Sequence, residues 1–116
     1  MQPANILVAD DDAVARDLLA ESLKKDGYVV EAFASGEEVI ARGRQGKVDL
    51  VLTDIRMGAV DGLTVLREFK RMSPDTAVVV LTSFGSLEGA IEAIKQGAYD
   101  YLAKPFKKED IKLVVK

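Results

Sequence analysis

Three aspartates in a row, Asp10-Asp11-Asp12, directly follow the apolar run Ile6-Leu7-Val8-Ala9. A fourth, Asp54, closes the run Leu50-Val51-Leu52-Thr53, while Thr82-Ser83 closes Ala77 to Leu81 and Lys104 follows Tyr101-Leu102-Ala103. Carboxylates gathered at one place repel: a pair about 4 Å apart costs roughly 4 kcal/mol at an effective dielectric of 20. Three of them call for a cation. Oxygen ligands on short loops suit a partly hydrated Mg²⁺ better than an all-protein Ca²⁺ cage. The calcium-loop pattern is also absent, because Asp10-x-Asp12 runs into Val14 with no turn glycine and no closing glutamate. A metal, an ammonium and a hydroxyl around one carboxylate make a receptor for a phosphoryl group. There the carboxylate is the nucleophile and the cations neutralise the equatorial oxygens. The expected product is an acyl phosphate on Asp54.

Taken singly, each residue has an ordinary role. Asp12 suits a helix N-cap, Asp54 a turn, Thr82 a strand-end hydroxyl and Lys104 a solvated loop. Their conjunction carries the reading, and it depends on the elements that place them. Ile6-Leu7-Val8-Ala9 reads as a strand, followed by a helix with Ala15, Leu18, Leu19, Ser22 and Leu23 on one face and Gly27 as its stop. Tyr28 to Ala34 reads as a second strand. Ser35 and Glu38 form a capping box for a helix ending near Gly43 or Gly46. Leu50-Val51-Leu52 is the third strand, and the helix past Asp61-Gly62 carries Val65, Leu66, Phe69 and Met72 before Ser73-Pro74 ends it. Ala77 to Leu81 is apolar throughout, as a strand covered on both faces requires. Ser86 is expected to cap a helix with Leu87, Ala90, Ile91 and Ile94 on one face and Gly97 as its stop. Tyr99 to Leu102 is the fifth strand, and Asp110 to Lys116 begins a last helix.

Five strand–helix units with short connections predict the α/β class: one doubly wound, five-stranded parallel sheet. Ligands of such sheets bind outside the carboxyl ends of the strands, and that is the edge where Asp10-Asp11-Asp12, Asp54, Thr82 and Lys104 fall.

The 116 residues suffice for one domain. Without cysteine there is no disulfide framework or thiolate metal site, and without histidine no Ser-His-Asp triad, histidine base or His-ligated metal. Sixteen basic against nineteen acidic residues, with no basic stripe, predict no direct nucleic-acid binding. Met1 to Asn5 lacks the basic and apolar regions of a signal peptide, and the longest apolar run, Ala77 to Leu81, is far too short to span a membrane. A cytoplasmic location is expected.

The motifs Ile6 to Asp12, Asp54-Ile55-Arg56-Met57 with Asp61-Gly62, Leu81-Thr82-Ser83, and Gly97-Ala98-Tyr99-Asp100-Tyr101-Leu102-Ala103-Lys104-Pro105-Phe106 come in a definite order and spacing. Together they resemble the receiver domains of bacterial two-component response regulators over essentially the whole chain, the last stretch being most like the nitrogen-regulator type. The resemblance implies a flavodoxin-like (βα)5 receiver fold with strand order 2-1-3-4-5 and one receiver domain over 1–116. It implies that Asp54 is the phosphoacceptor, fed by a phosphohistidine on a sensor kinase. Mg²⁺ is then held by Asp11, Asp54 and the main-chain carbonyl of Arg56, with Asp10 acting through water. Lys104 pairs with the phosphoryl oxygens, Thr82 reaches for them, and the ring of Tyr101 follows the switch. Such a domain is no enzyme in the ordinary sense, though it promotes its own phosphorylation and dephosphorylation.

The resemblance further implies a cis Lys104-Pro105 peptide and a homodimer through the fourth helix, fifth strand and fifth helix. The uncapped Leu113-Val114-Val115 suggests a truncated last helix and an output domain outside the chain. Gly58-Ala59 departs from the family's usual Pro-Gly, which predicts a looser loop beside the acceptor. Arg56 and Phe84 stand where the family tunes hydrolysis.

Two other readings compete. A phosphatase of the haloacid dehalogenase type shares a strand-end aspartate nucleophile and an Asp-x-Asp start, but its following threonine, its later acidic pair and room for a cap domain are missing. A receiver that is never phosphorylated, used purely as an interaction module, would not need every chemical position filled. A flavodoxin-like flavin carrier would need a hydroxyl- or glycine-rich phosphate loop after the first strand, which this chain lacks.

Overall fold

The computed structural model describes residues 4–56, 60–82, 87–104 and 108–115. Five strands and five helices alternate: β1 (Asn5–Ala9), α1 (Ala13–Lys25), β2 (Val29–Phe33), α2 (Gly36–Gly43), β3 (Leu50–Asp54), α3 (Gly62–Met72), β4 (Ala77–Thr82), α4 (Leu87–Lys95), β5 (Asp100–Ala103) and α5 (Lys108–Val115). The strands form one parallel sheet in the order β2-β1-β3-β4-β5, as expected. The chain reverses direction across the sheet after β2, so β1 and β3 lie side by side at the switch point and their carboxyl ends open together.

Strand side chains alternate between faces, and two cores result. Ile6, Val8, Leu50, Leu52, Val79, Leu81 and Leu102 join Leu19 and Leu23 of α1 and Ile111 of α5. On the other face, Leu7, Ala9, Val51, Val78 and Val80 pack with Val39 and Ile40 of α2, Val65, Leu66 and Phe69 of α3, and Ala93 of α4. The same alternation, carried to the strand ends, puts Asp10, Asp54 and Lys104 on the α1/α5 face and Thr82 and Tyr101 on the α4 face.

The helix ends follow the sequence. Asp12 caps α1, accepting from the Val14 amide, and Ser35 caps α2, accepting from the Glu38 amide. Gly27 and Gly97 take the left-handed conformation (φ +94° and +106°) that ends a helix at no steric cost. Asp61 caps α3, an assignment not made from the sequence.

Two helical faces differ from expectation. Leu18 of α1 lies exposed, and Ala20 is buried beside Leu19 and Leu23. On α4, Ile91 and Ile94 are 48% and 43% exposed, while Ala90 and Ala93 are buried. Near its start α4 runs close to the loop after β3, where a Cβ on Gly89 would stand 3.2 Å from Ile55 Cδ1, and it turns its small flank to the sheet. The expected Ser86 cap, the Lys104-Pro105 peptide, Met57, Gly58-Ala59, Ser83 and Phe84 lie outside the described residues.

Candidate functional site

Asp10 is the residue at which β1 ends. Its amide still donates to the Phe33 carbonyl of β2 (3.1 Å), and its side chain is fully buried. Oδ1 accepts the Asp12 amide at 3.0 Å, the local bond that bends the chain into α1. Oδ2 lies 2.7 Å from the Lys104 ammonium, an ion-pair distance. The ammonium is the one partner of this buried oxygen among the described residues.

Asp54, last in β3, is 6% exposed. Its Oδ2 accepts from Lys104 Nζ at 3.1 Å and its Oδ1 from the Arg56 amide at 3.3 Å. Its backbone is clamped from behind. Gly62, first in α3, donates to the Ile55 carbonyl at 2.7 Å. A Cβ there would collide with the Asp54 main-chain oxygen and come within 2.7 Å of Ile55 Cα, so only glycine lets α3 sit this close to the acceptor strand.

Lys104 thus bridges two strand ends from a third. Its amide donates to the Thr82 carbonyl at 2.7 Å, extending the β4–β5 ladder beyond Ala103, and its ammonium reaches across to Asp10 and Asp54. Burial alone would lower its pKa; the two carboxylates outweigh that and raise it, so it stays a cation. Burial raises the pKa of Asp10, and the neighbouring Asp54 charge raises it further; the Lys104 ammonium and the Asp12 amide only partly oppose this.

Asp11 stands exposed beside them. One carboxylate oxygen from each of Asp10, Asp11 and Asp54 falls within 4.8 Å of the others. Three carboxylates against a single ammonium fit the donor set of a hydrated divalent cation.

The structure therefore brings Asp10, Asp11, Asp54 and Lys104 together. Thr82, buried, ends β4 next to Lys104, one residue past the Asp54–Leu81 register pair. Arg56 is exposed two residues beyond Asp54. Tyr101 lies in β5, 41% exposed and away from the carboxylates. Reading the sequence missed Arg16, whose guanidinium donates to the Asp10 carbonyl at 2.9 Å. Its only sequence signal is its place one turn into α1 after the aspartate triplet.

Comparison with known proteins agrees. Residues 6–116 match the family described as response regulator receiver domain. The chain is 43% identical over 101 residues to the transcriptional regulatory protein ZraR of Salmonella typhimurium, covering 87% of this chain and 23% of that protein. It is 37% identical over 106 residues to the DNA-binding transcriptional regulator NtrC of Proteus hauseri, covering 91% of this chain and 22% of that one. It spans about a quarter of the length of these curated relatives. Among solved structures, the receiver domain of NtrX from Brucella abortus superposes with a TM-score of 0.90 at 36% identity, over 95% of this chain and 93% of that one. A strand order fixed by the switch point, a buried carboxylate pair bridged by one lysine, and these likenesses have one reading: the chain belongs to the response regulator receiver domains, on the nitrogen-regulator-like side of that family.

Proposed function

We propose that this domain is a cytoplasmic phosphoacceptor switch in which Asp54 takes a phosphoryl group from the phosphohistidine of a sensor histidine kinase. The observation that carries the reading is Lys104 Nζ within 2.7 Å and 3.1 Å of two buried carboxylates, with a third carboxylate at hand. A purely interacting domain gains nothing by burying two like charges, which are costly to desolvate. A site that must receive a trianionic group does.

Asp10, Asp11, Asp54 and the Arg56 carbonyl would hold Mg²⁺, which when bound supplies positive charge for the equatorial phosphoryl oxygens. The rest of the work falls to the chain itself. An Asp54 oxygen bonds to phosphorus as the phosphorus–nitrogen bond breaks, and the imidazole leaves with the electron pair. Lys104, kept charged by its ion pairs, exchanges Asp54 for a phosphoryl oxygen. The Gly62 clamp fixes the acceptor backbone, so that the nucleophile needs no reorganisation.

The acyl phosphate adds roughly −1.5 to −2 charges at one point. Lys104 and the Thr82 hydroxyl, at adjacent strand ends, are the groups drawn toward it. They bracket α4 and β5, and the segment from Leu87 to Tyr101 shifts in population between two arrangements. That face, with α5, would carry the signal to an output domain and offers a homodimer contact. The domain promotes its own phosphorylation and dephosphorylation rather than turning over an external substrate.

Acetyl phosphate with Mg²⁺ tests this. The expected result is one phosphoryl group per chain, sensitive to alkali as acyl phosphates are, and lost in Asp54→Asn. Labelling that survives Asp54→Asn, or steady hydrolysis of small phosphate esters, overturns it.

A further inference from the structure

Arg16 is half-buried, six residues past Asp10 and one turn into α1. Its Nη1 donates to the Asp10 main-chain carbonyl at 2.9 Å, and its amide donates to the Asp12 carbonyl at 3.0 Å. One residue thus closes the Asp10-Asp11-Asp12 turn from both ends. The turn's remaining bonds are the Asp10 amide to Phe33, the Asp12 amide to Asp10 Oδ1, and the Val14 amide to Asp12 Oδ1.

Each of these fixes residue 10 or residue 12. Among the described residues none holds the carboxylate of Asp11, the exposed member of the trio. The direction of that side chain follows from the peptide plane joining residues 10 and 11. The oxygen of that plane is the atom Arg16 grips.

We propose that Arg16 is a positioning residue of the divalent-cation site, aiming the Asp11 carboxylate by locking the Asp10–Asp11 peptide. The proposal rests on the reading of Asp10, Asp11 and Asp54 as that site. The choice of acceptor is chemically telling. Lys104 already occupies Oδ2 of both Asp10 and Asp54. A second cation paired with a carboxylate would take another ligand oxygen from the metal. A guanidinium on a carbonyl instead adds positive charge beside three carboxylates and leaves their oxygens free. Arginine suits the post, being permanently charged with rigidly placed donors. Groups that orient metal ligands in this indirect way typically change affinity by about 10- to 100-fold when removed.

The test is an amide NMR titration of the full chain with MgCl₂, comparing wild type, Arg16→Ala and Arg16→Lys, with metal-free spectra recorded first. In the metal-free state, Arg16→Ala should move the Asp11 amide nitrogen, which is bonded to the gripped carbonyl, and leave the β4 amides in place. Its Mg²⁺ dissociation constant should rise about 10-fold, and Arg16→Lys, which keeps the charge and one donor, should recover most of that loss. An unchanged affinity in Arg16→Ala overturns the proposal. So does an Arg16→Ala variant whose Asp11 amide does not move, because any loss of affinity would then not act through the Asp10–Asp11 peptide. If Arg16→Ala does not fold, Arg16→Gln replaces it with the same expectation. A wild-type chain that ignores Mg²⁺ removes the metal site itself, an outcome the wild-type arm separates from failure of the arginine's role.

Discussion

Helices α3 and α4 lie on the same face of the sheet, yet among the described side chains the fully buried ones are Val65, Leu66 and Phe69 on α3 and only Ala90 and Ala93 on α4. Burying a large apolar side chain contributes about 1.5–3 kcal/mol, and a single methyl group about 0.8 kcal/mol. Among the described side chains, those of α3 therefore bury more apolar surface than those of α4. The firm helix begins at Gly62, against the backbone of Asp54 and Ile55. The lightly held one lies over β4 and β5, where Thr82 and Tyr101 stand. Under the proposed function, the Asp54 end must hold still during phosphoryl transfer and the α4 end must move. Elements that move are drawn from the least stable parts of a fold, and here the division follows residue size.

Phe69→Ala tests the firm half and should have the largest effect. The ring is fully buried and reaches Gly43 of α2, where a Cβ would collide with it. Emptying that space should cost about 3–5 kcal/mol in urea unfolding. A loss below about 2 kcal/mol would mean that α2 closes onto α3 and that the contrast with α4 is smaller than the side chains imply.

Asp10→Asn examines the acceptor edge next. Folding raises the pKa of Asp10, chiefly through burial, so folding favours its acid form. The stability contributed by that shift is fully present below its ordinary value of about 3.8 and is lost as pH rises through the higher folded value. At neutral pH the carboxylate is thus a cost. Asp10→Asn should stabilise the metal-free domain at pH 7, with the gain shrinking as pH falls toward 3, while thermal stabilisation by Mg²⁺ weakens. A destabilised variant at pH 7 would show that the Lys104 ion pair outweighs the burial, and that the acceptor edge is not under electrostatic tension.

The parallel sheet and the trio Asp10, Asp54 and Lys104 were legible in the sequence for a common reason, whereas the strand order came from the family resemblance. A parallel strand buried on both faces is a short apolar run with a sharp polar end, and topology sends every such end to one edge. The helix caps were legible because capping is local chemistry, as with Asp12 and Ser35. The orientation of α4 was not, because Leu87, Ala90, Ile91, Ala93 and Ile94 make a stripe wider than one contact. Which flank of it meets the sheet is settled by tertiary neighbours such as Ile55, a residue far away in sequence that lies beside Gly89. Arg16 escaped notice for a related reason: its partner is a main-chain carbonyl, and no residue type marks that.

The α4 stripe also supplies the smallest effect, and the one that most sharply separates the two helices. Had Ile91 and Ile94 faced the sheet as their spacing suggests, truncating either to alanine would cost about 2–5 kcal/mol. Half-exposed, each gives up only part of its transfer energy, roughly 1 kcal/mol. Alanine's better helix propensity returns a few tenths of that. Ile91→Ala and Ile94→Ala should each therefore cost less than about 1 kcal/mol, and hydrogen exchange of the α4 amides should run ahead of those of α3 in the wild type. The decisive comparison is the pair of alanine variants against Ala93→Val, which adds bulk on the flank that does meet the sheet and should be the more damaging at about 1–3 kcal/mol. If the isoleucine truncations prove the costlier, α4 is seated by its large side chains after all, and the firm and yielding halves of this face are held alike.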